Sequence, residues 1–281
     1  MNQPNDAARQ PARWQPLENY LRTVETYPIR IGIVIQAPGG DRFTYRADER
    51  FLAASTIKVP VVVELFRQVD CGERSLKAKH PVTWRDVYLR DGRGGKLGFS
   101  DGVELSLRDL MHLIICMSDN NAANTLIDLA GFENVNAAMP ELGMHRSELG
   151  RYILGRAAYP EEGIPENWTT PTDLCTLFDA ILSGRALSRI STEKLIDMLT
   201  WQDNVNRIGR HYIDSPYTWG SKTGTTGDDS HDAGFVRGPD GDLVLAVCTT
   251  GFPTMADAEA VIGEIGRLAG VACGLLPSDL E

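Results

Sequence analysis

Ser55-Thr56-Ile57-Lys58-Val59-Pro60-Val61-Val62-Val63-Glu64-Leu65-Phe66 opens on a short polar turn and runs directly into apolar sequence. A helix that starts near Ser55 puts positions i and i+3 on one face, which brings the Lys58 amine within reach of the Ser55 hydroxyl. A nucleophile then stands beside a base. Serine is a weak nucleophile near neutral pH, and a lysine takes its proton only where burial or a nearby cation keeps the amine neutral. The helix start also directs backbone N–H groups at the same point, where they favour an oxyanion. Taken alone, Ser-x-x-Lys equally describes an N-cap serine followed by a lysine that reaches back to solvent.

Upstream of this stretch, Arg30-Ile31-Gly32-Ile33-Val34-Ile35-Gln36 and Arg42-Phe43-Thr44-Tyr45 flank a turn-rich Ala37-Pro38-Gly39-Gly40-Asp41, the pattern of a hairpin. Far downstream, Tyr217–Gly220, Asp232–Val236 and Leu243–Cys248 read as three more strands, separated by turns of which Gly238-Pro239-Asp240-Gly241 is the clearest. Between the two ends the apolar spacing becomes helical, in Leu107–Ile114, Ala122–Ala130 and Leu174–Leu182, and again in Ala256–Ala272 after the last strand. An opening helix is expected around Leu17–Glu25. Strands from both ends must pair across the inserted helical middle. The fold class is therefore mixed α/β, an antiparallel five-stranded sheet with flanking helices plus an all-helical subdomain; alternating βαβ units are absent. Residues 1–15 are expected to form a disordered arm and 16–275 a single domain, with the sheet subdomain at about 16–54 and 205–275 and the helical one at about 55–204.

The 281 residues carry 28 Lys+Arg against 38 Asp+Glu, a net charge of −10, with 42% hydrophobic residues. This composition supports a sizeable core, and its acidic balance without a basic tract disfavours nucleic acid or an anionic membrane as partner. Small molecules are the expected partners. No apolar run approaches the length of a membrane-spanning helix, and the N-terminus lacks the apolar core of a secretory signal, which points to the cytoplasm. Five scattered cysteines and five histidines show no disulfide framework or metal-ligand spacing, so neither metal nor cofactor is expected.

Two further motifs matter. Ser118-Asp119-Asn120 follows the apolar Ile114-Ile115-Cys116-Met117, and Lys222-Thr223-Gly224 follows a predicted strand. Each alone reads as a turn or cap. In order, however, Ser-x-x-Lys, Ser-Asp-Asn and Lys-Thr-Gly form the motif set of the penicillin-recognising serine enzymes. The sequence resembles the class A β-lactamase-like serine hydrolases of that superfamily. Ser118-Asp119-Asn120-Asn121-Ala122-Ala123-Asn124, Thr169-Thr170-Pro171 and Gly238-Pro239-Asp240-Gly241 extend the resemblance over about Ile31 to Ala272.

The resemblance implies a β-lactamase/transpeptidase-like fold. It makes Ser55 the acylated nucleophile, Lys58 a proton acceptor and Ser118 the relay to the leaving nitrogen. Asn120 would bind the substrate's amide side chain, and Lys222, Thr223 and Gly224 would form the wall that holds a carboxylate. The backbone N–H groups of Ser55 and Thr225 would make the oxyanion hole. Two lysines in one cleft lower each other's pKa, which suits Lys58 as a base.

Two departures stand out. Aligning Leu149-Gly150-Arg151-Tyr152 with the start of the family's long loop puts Ile153 where the water-positioning glutamate belongs, with Leu154 next and Ala157 near the family's asparagine. Glu161, Glu162 and Glu166 lie further along, and Arg151 would face Asn167 where an aspartate is usual. Counting without gaps from Lys222, the family's carboxylate-binding arginine falls on His231, a pH-dependent replacement at best. Arg207 and Arg210 are the other cationic candidates. The expected activity is acyl-enzyme formation on Ser55 with a β-lactam or another small amide or ester, with weak deacylation. A peptidase, esterase or acyl-transfer enzyme of the same fold is one alternative, and a β-lactam or peptide sensor or sink is another.

Overall fold

A computed structural model describes residues 11–25, 29–82, 102–153 and 165–278. In chain order its strands are β1 (Arg30–Gln36), β2 (Arg42–Tyr45), β3 (Phe51–Leu52), β4 (Lys79–Pro81), β5 (Glu104–Ser106), β6 (Trp168–Thr169), β7 (Trp219–Thr226), β8 (Asp229–Gly238) and β9 (Gly241–Thr250). Five of them form one antiparallel sheet in the order β2-β1-β9-β8-β7, so the N-terminal hairpin pairs with the last strand of the chain. The two short pairs, β3 with β6 and β4 with β5, lie outside that sheet. Pairing across the helical insertion is as expected.

The helices are α1 (Gln15–Val24), α2 (Lys58–Asp70), α3 (Leu107–His112), α4 (Asn120–Ala130), α5 (Phe132–Glu141), α6 (Pro171–Leu182), α7 (Arg189–Thr200) and α8 (Met255–Ala272). Residues from Lys58 through Phe66 are all buried, so α2 is enclosed on every side up to its last turn, where Arg67, Val69 and Asp70 reach the surface. Side-chain caps start the helices that frame it: Asp119 accepts from the Ala122 N–H at 2.8 Å for α4, and Thr170 accepts from the Asp173 N–H at 3.1 Å for α6, where Pro171 occupies the first turn.

The sheet separates two apolar clusters. One lies toward α2, α4 and α6, and the other toward α1 and α8. Trp14 belongs to the second, fully buried and 5.8 Å from Phe43 between ring centroids, and Ala12–Trp14 form a 3-10 turn leading into α1. This corrects the expected disordered arm over residues 11–15, because burying an indole ties that segment to the sheet.

β7 and β8 run longer than their sequence predicts. Gly224-Thr225-Thr226 and Asp229-Ser230 have turn-like composition, yet pairing from Trp219↔Val236 to Thr226↔Asp229 extends both strands to a tight Gly227-Asp228 turn. Tertiary pairing overrides local preference here. Lys222 consequently sits within β7 and not at its end.

Candidate active site

Ser55 lies in a 3-10 turn, Ala54–Ile57, which passes directly into α2. Its successor by three, Lys58, is 1% exposed. The Lys58 ammonium donates to the Ser118 carbonyl at 2.7 Å, to Ser118 Oγ at 3.1 Å and to Asn120 Oδ1 at 2.7 Å. Three donors thus meet three acceptors, the full capacity of an ammonium group.

Ser118 is delivered by unusual backbone. Leu113–Met117 form a π-helical turn, and Ser118 itself adopts φ 59°, ψ 32°. A non-glycine residue held in the left-handed region costs on the order of 1–3 kcal/mol, strain that is typical of functional positions. The kink turns the Ser118 side chain and carbonyl back toward Lys58.

β7 is the outer strand of the sheet, so one row of its backbone groups is not used by β8. Lys222 is fully buried, its ammonium donating to the Thr223 carbonyl at 2.7 Å, while Thr225 is exposed. At Gly224 an added Cβ would stand 3.0 Å from Thr56 Cγ2, 3.1 Å from Ala54 Cβ and 3.2 Å from the Ala53 carbonyl. Only glycine lets β7 approach the Ser55 turn this closely. The Ser55 turn, Lys58, Ser118, Asn120 and the Lys222–Thr225 strand therefore frame one cleft.

Two residues without a sequence signal hold its walls together. Gln202 donates to the Ser221 carbonyl at 3.1 Å and the Ile115 carbonyl at 3.4 Å, and the Asp203 N–H donates to the Cys116 carbonyl at 3.1 Å. These bonds link β7 to the segment that carries Ser118.

The structure moves His231 out of the expected carboxylate site. The β7–β8 register pairs His231 with Gly224, next to the Thr223–Asp232 pair, so its side chain points to the face opposite Thr223 and Thr225. It is fully buried, with Nε2 2.7 Å from the Leu52 carbonyl and Nδ1 accepting from the Thr249 N–H at 3.1 Å. Burial pushes its pKa down to about 4, so the imidazole is neutral and already hydrogen-bonded on both nitrogens. A gapless count cannot register a change in hairpin parity.

Arg207 occupies the face His231 leaves. It is 1% exposed, donates to the Gly224 carbonyl at 2.8 Å and the His231 carbonyl at 2.6 Å, and reaches Thr225 Oγ1 at 2.6 Å. Its chain segment is seated on α8, where a Cβ at Gly263 would come within 2.8 Å of Arg210 Cδ and 3.4 Å of the Arg207 carbonyl. Arg210 lies on this α8 side and is exposed.

In the long loop, Asn124 of α4 holds the Ile153 backbone through two hydrogen bonds, and Ile153 packs against the core. Asn167 accepts the Gly150 and Arg151 N–H groups at 2.9 and 3.0 Å. Arg151, expected to face Asn167, pairs instead with Glu166 at 2.8 Å, so the loop neck keeps an ion pair in shifted register. Burial raises the Glu166 pKa while Arg151 pulls against it. Leu154, Ala157, Glu161 and Glu162 lie outside the described residues. Among the described residues no group of three or more His, Cys, Asp or Glu side chains could hold a metal ion, and no helix is long and apolar enough to cross a membrane.

This fold and cleft are those of class A β-lactamase-like serine enzymes. The β-lactamase of Sphaerobacter thermophilus DSM 20745 superposes with a TM-score of 0.86 at 40% identity, over 94% of this chain and 98% of that one. An acyl-enzyme complex of a PBP-A variant with penicillin G matches with a TM-score of 0.80 at 25% identity, over 92% of this chain and 96% of that one. Residues 15–272 match the model of the beta-lactamase enzyme family, and the chain belongs to that family. A β-lactamase of Streptomyces fradiae is 31% identical over 275 residues, 93% of this chain and 88% of that protein.

Proposed function

We propose that the protein opens a β-lactam by acylating Ser55 and releases the product slowly. The contact set of Lys58 carries this reading: an amine with acceptors on three sides, one helical turn from a serine, becomes a base when it gives up one proton. Lys58 takes the Ser55 hydroxyl proton as the oxygen attacks the lactam carbonyl. Backbone N–H groups of Ser55 and Thr225 stabilise the oxyanion. The C–N bond then breaks, Ser118 passes a proton to the leaving nitrogen, and an ester on Ser55 remains.

The substrate carboxylate is assigned to Thr223 and Thr225, with Arg207 behind Thr225 and Lys222 on the other face of the same strand. Because Thr225 Oγ1 accepts from Arg207, its own proton is directed to another partner, which suits a carboxylate in the cleft. Asn120 is assigned to the amide side chain.

Deacylation is the weak half-reaction. Ile153, fixed by Asn124 where the family's loop carries its glutamate, cannot accept a proton, and Glu166 is committed to Arg151. The PBP-A structure captured as a penicillin G acyl-enzyme is that of a leucine-to-glutamate variant. The apolar Ile153 also favours a second reading, in which an amine, a better nucleophile than unactivated water, accepts the acyl group. Turnover of a chromogenic cephalosporin with and without added amines separates the two.

The test of the nucleophile is covalent labelling with a fluorescent penicillin. Ser55→Ala should abolish it, and Lys58→Ala should slow it by roughly 10²–10⁴. Label that persists in Ser55→Ala, or moves to Ser118, rules the assignment out.

A further inference from the structure

Asp232 is fully buried behind the cleft, opposite Thr223 in the β7–β8 register and on the face shared by Thr223 and Thr225. It accepts from the Ile208 N–H at 3.1 Å, one residue beyond Arg207, and lies beside the Ser221 hydroxyl. Arg207 is approached by a second carboxylate, Glu259 of α8, at 3.5 Å. The charged group facing Asp232 is Arg207, from the 207–212 segment; Lys222 of β7 pairs with Ala233, points to the other face of the sheet and acts on Asp232 only through its field, while the β9 partner Val247 is uncharged and His231 on its own strand is neutral.

Two cations, Arg207 and Lys222, are thus balanced by two carboxylates, Asp232 and Glu259, before any substrate enters. An arriving carboxylate makes this group of charges net negative in a buried, weakly screened setting. From this arrangement we infer that Asp232 is a specificity-determining residue whose charge competes with the substrate carboxylate for Arg207 and Lys222, so that capture of an anionic substrate is coupled to proton uptake by Asp232. The inference rests on the acyl-serine reading above.

Burial raises the Asp232 pKa to about 6 against the pull of Arg207, Ser221, the Ile208 N–H and Lys222. A further negative charge nearby raises it again. By linkage, an anionic ligand then binds better as pH falls toward that value, and a neutral ligand does not. A coupling of half to one pKa unit corresponds to roughly threefold to tenfold in capture.

The experiment compares acylation by benzylpenicillin with acylation by its neutral methyl ester, followed as intact mass. Their rate ratio cancels titration of Lys58, which both substrates need. In the wild type this ratio should rise roughly twofold to sixfold between about pH 7.5 and about pH 5.5, most of the full effect. Asp229, whose pKa is also raised by burial, sits at the hairpin end, so a variant must identify the group responsible. Asp232→Asn keeps an acceptor for the Ile208 N–H and should show a ratio that is high at pH 7.5 and flat with pH. A flat wild-type ratio overturns the proposal, and so does an Asp232→Asn ratio at or below the wild-type value at pH 7.5, which would make Asp232 a support for Arg207. Should Asp232→Asn fail to fold, the same substrate pair on Asp229→Asn decides: a pH-dependent ratio that survives there assigns the proton to Asp232, and a flat one overturns the proposal. Absence of acylation by either compound defeats the acyl-serine reading itself, and this proposal with it.

Discussion

Asn124 Nδ2 donates to the Ile153 carbonyl at 2.9 Å, and the Ile153 N–H donates to Asn124 Oδ1 at 2.8 Å. This pair of hydrogen bonds between α4 and the start of the long loop fixes the backbone of residue 153 whatever side chain it bears. In the proposed reading this clamp holds the position of the family's loop glutamate, and Ile153 puts a branched hydrocarbon there.

Ile153→Glu should therefore accelerate decay of the penicillin adduct, by up to roughly 10²–10⁴ if the new carboxylate reaches the ester. The gain should depend on the clamp. In Ile153→Glu/Asn124→Ala most of it should vanish, measured as the adduct lifetime by intact mass. Equal lifetimes in the single and double variants would mean that Asn124 does not place this side chain.

Gly224→Ala tests the approach of β7 to the nucleophile. The new methyl would meet Thr56, Ala54 and the Ala53 carbonyl at 3.0–3.2 Å, contacts tight enough to force strand or turn to move. The shift needed is a few tenths of an ångström, a fraction of the ~1 Å displacement that costs roughly 10² in rate, so acylation should fall severalfold while far-UV circular dichroism is unchanged. Acylation at the wild-type rate would show that the oxyanion geometry tolerates the shift.

His231 should act on stability and not on substrate. Its folded pKa of about 4 lies below the unfolded value of about 6.5, so the folded state binds fewer protons between them. The stability due to neutral His231 is complete above about pH 6.5 and is lost progressively as pH falls toward about 4. Relative to His231→Gln, the wild type should lose stability over that window in chemical denaturation; comparing the two proteins removes the opposing contribution of Asp232. His231→Arg, which buries an unpaired charge, should cost roughly 3–5 kcal/mol and should not improve penicillin capture. A stable His231→Arg protein with faster capture would return the residue to the carboxylate site.

Much of this was legible in the residues. Apolar period in Arg30–Gln36 and Leu243–Cys248 marks strands at both ends, and three short motifs mark the cleft, because nucleophile, base and relay need particular residue types at fixed offsets. What stayed hidden depends on pairing or on distance. The inward turn of His231 follows from hairpin parity, a property of the β7–β8 register. Gln202 bridges Ile115 and Ser221 across 87 and 19 residues, and nothing local distinguishes it from any surface glutamine. Asp232 reads only as the first residue of a predicted strand until the fold brings Arg207 beside it. Trp14 reads as the end of a polar arm because its partner, Phe43, lies in another element.

The central claim is that acylation is intact and deacylation is not, and it is tested most directly by an intact-mass time course of the wild-type protein with a modest excess of benzylpenicillin. The account predicts one adduct that forms promptly on Ser55 and persists, since loss of a positioned base raises the deacylation barrier by roughly 3–5 kcal/mol. Free enzyme regenerated within seconds, with hydrolysed penicillin accumulating, would contradict it.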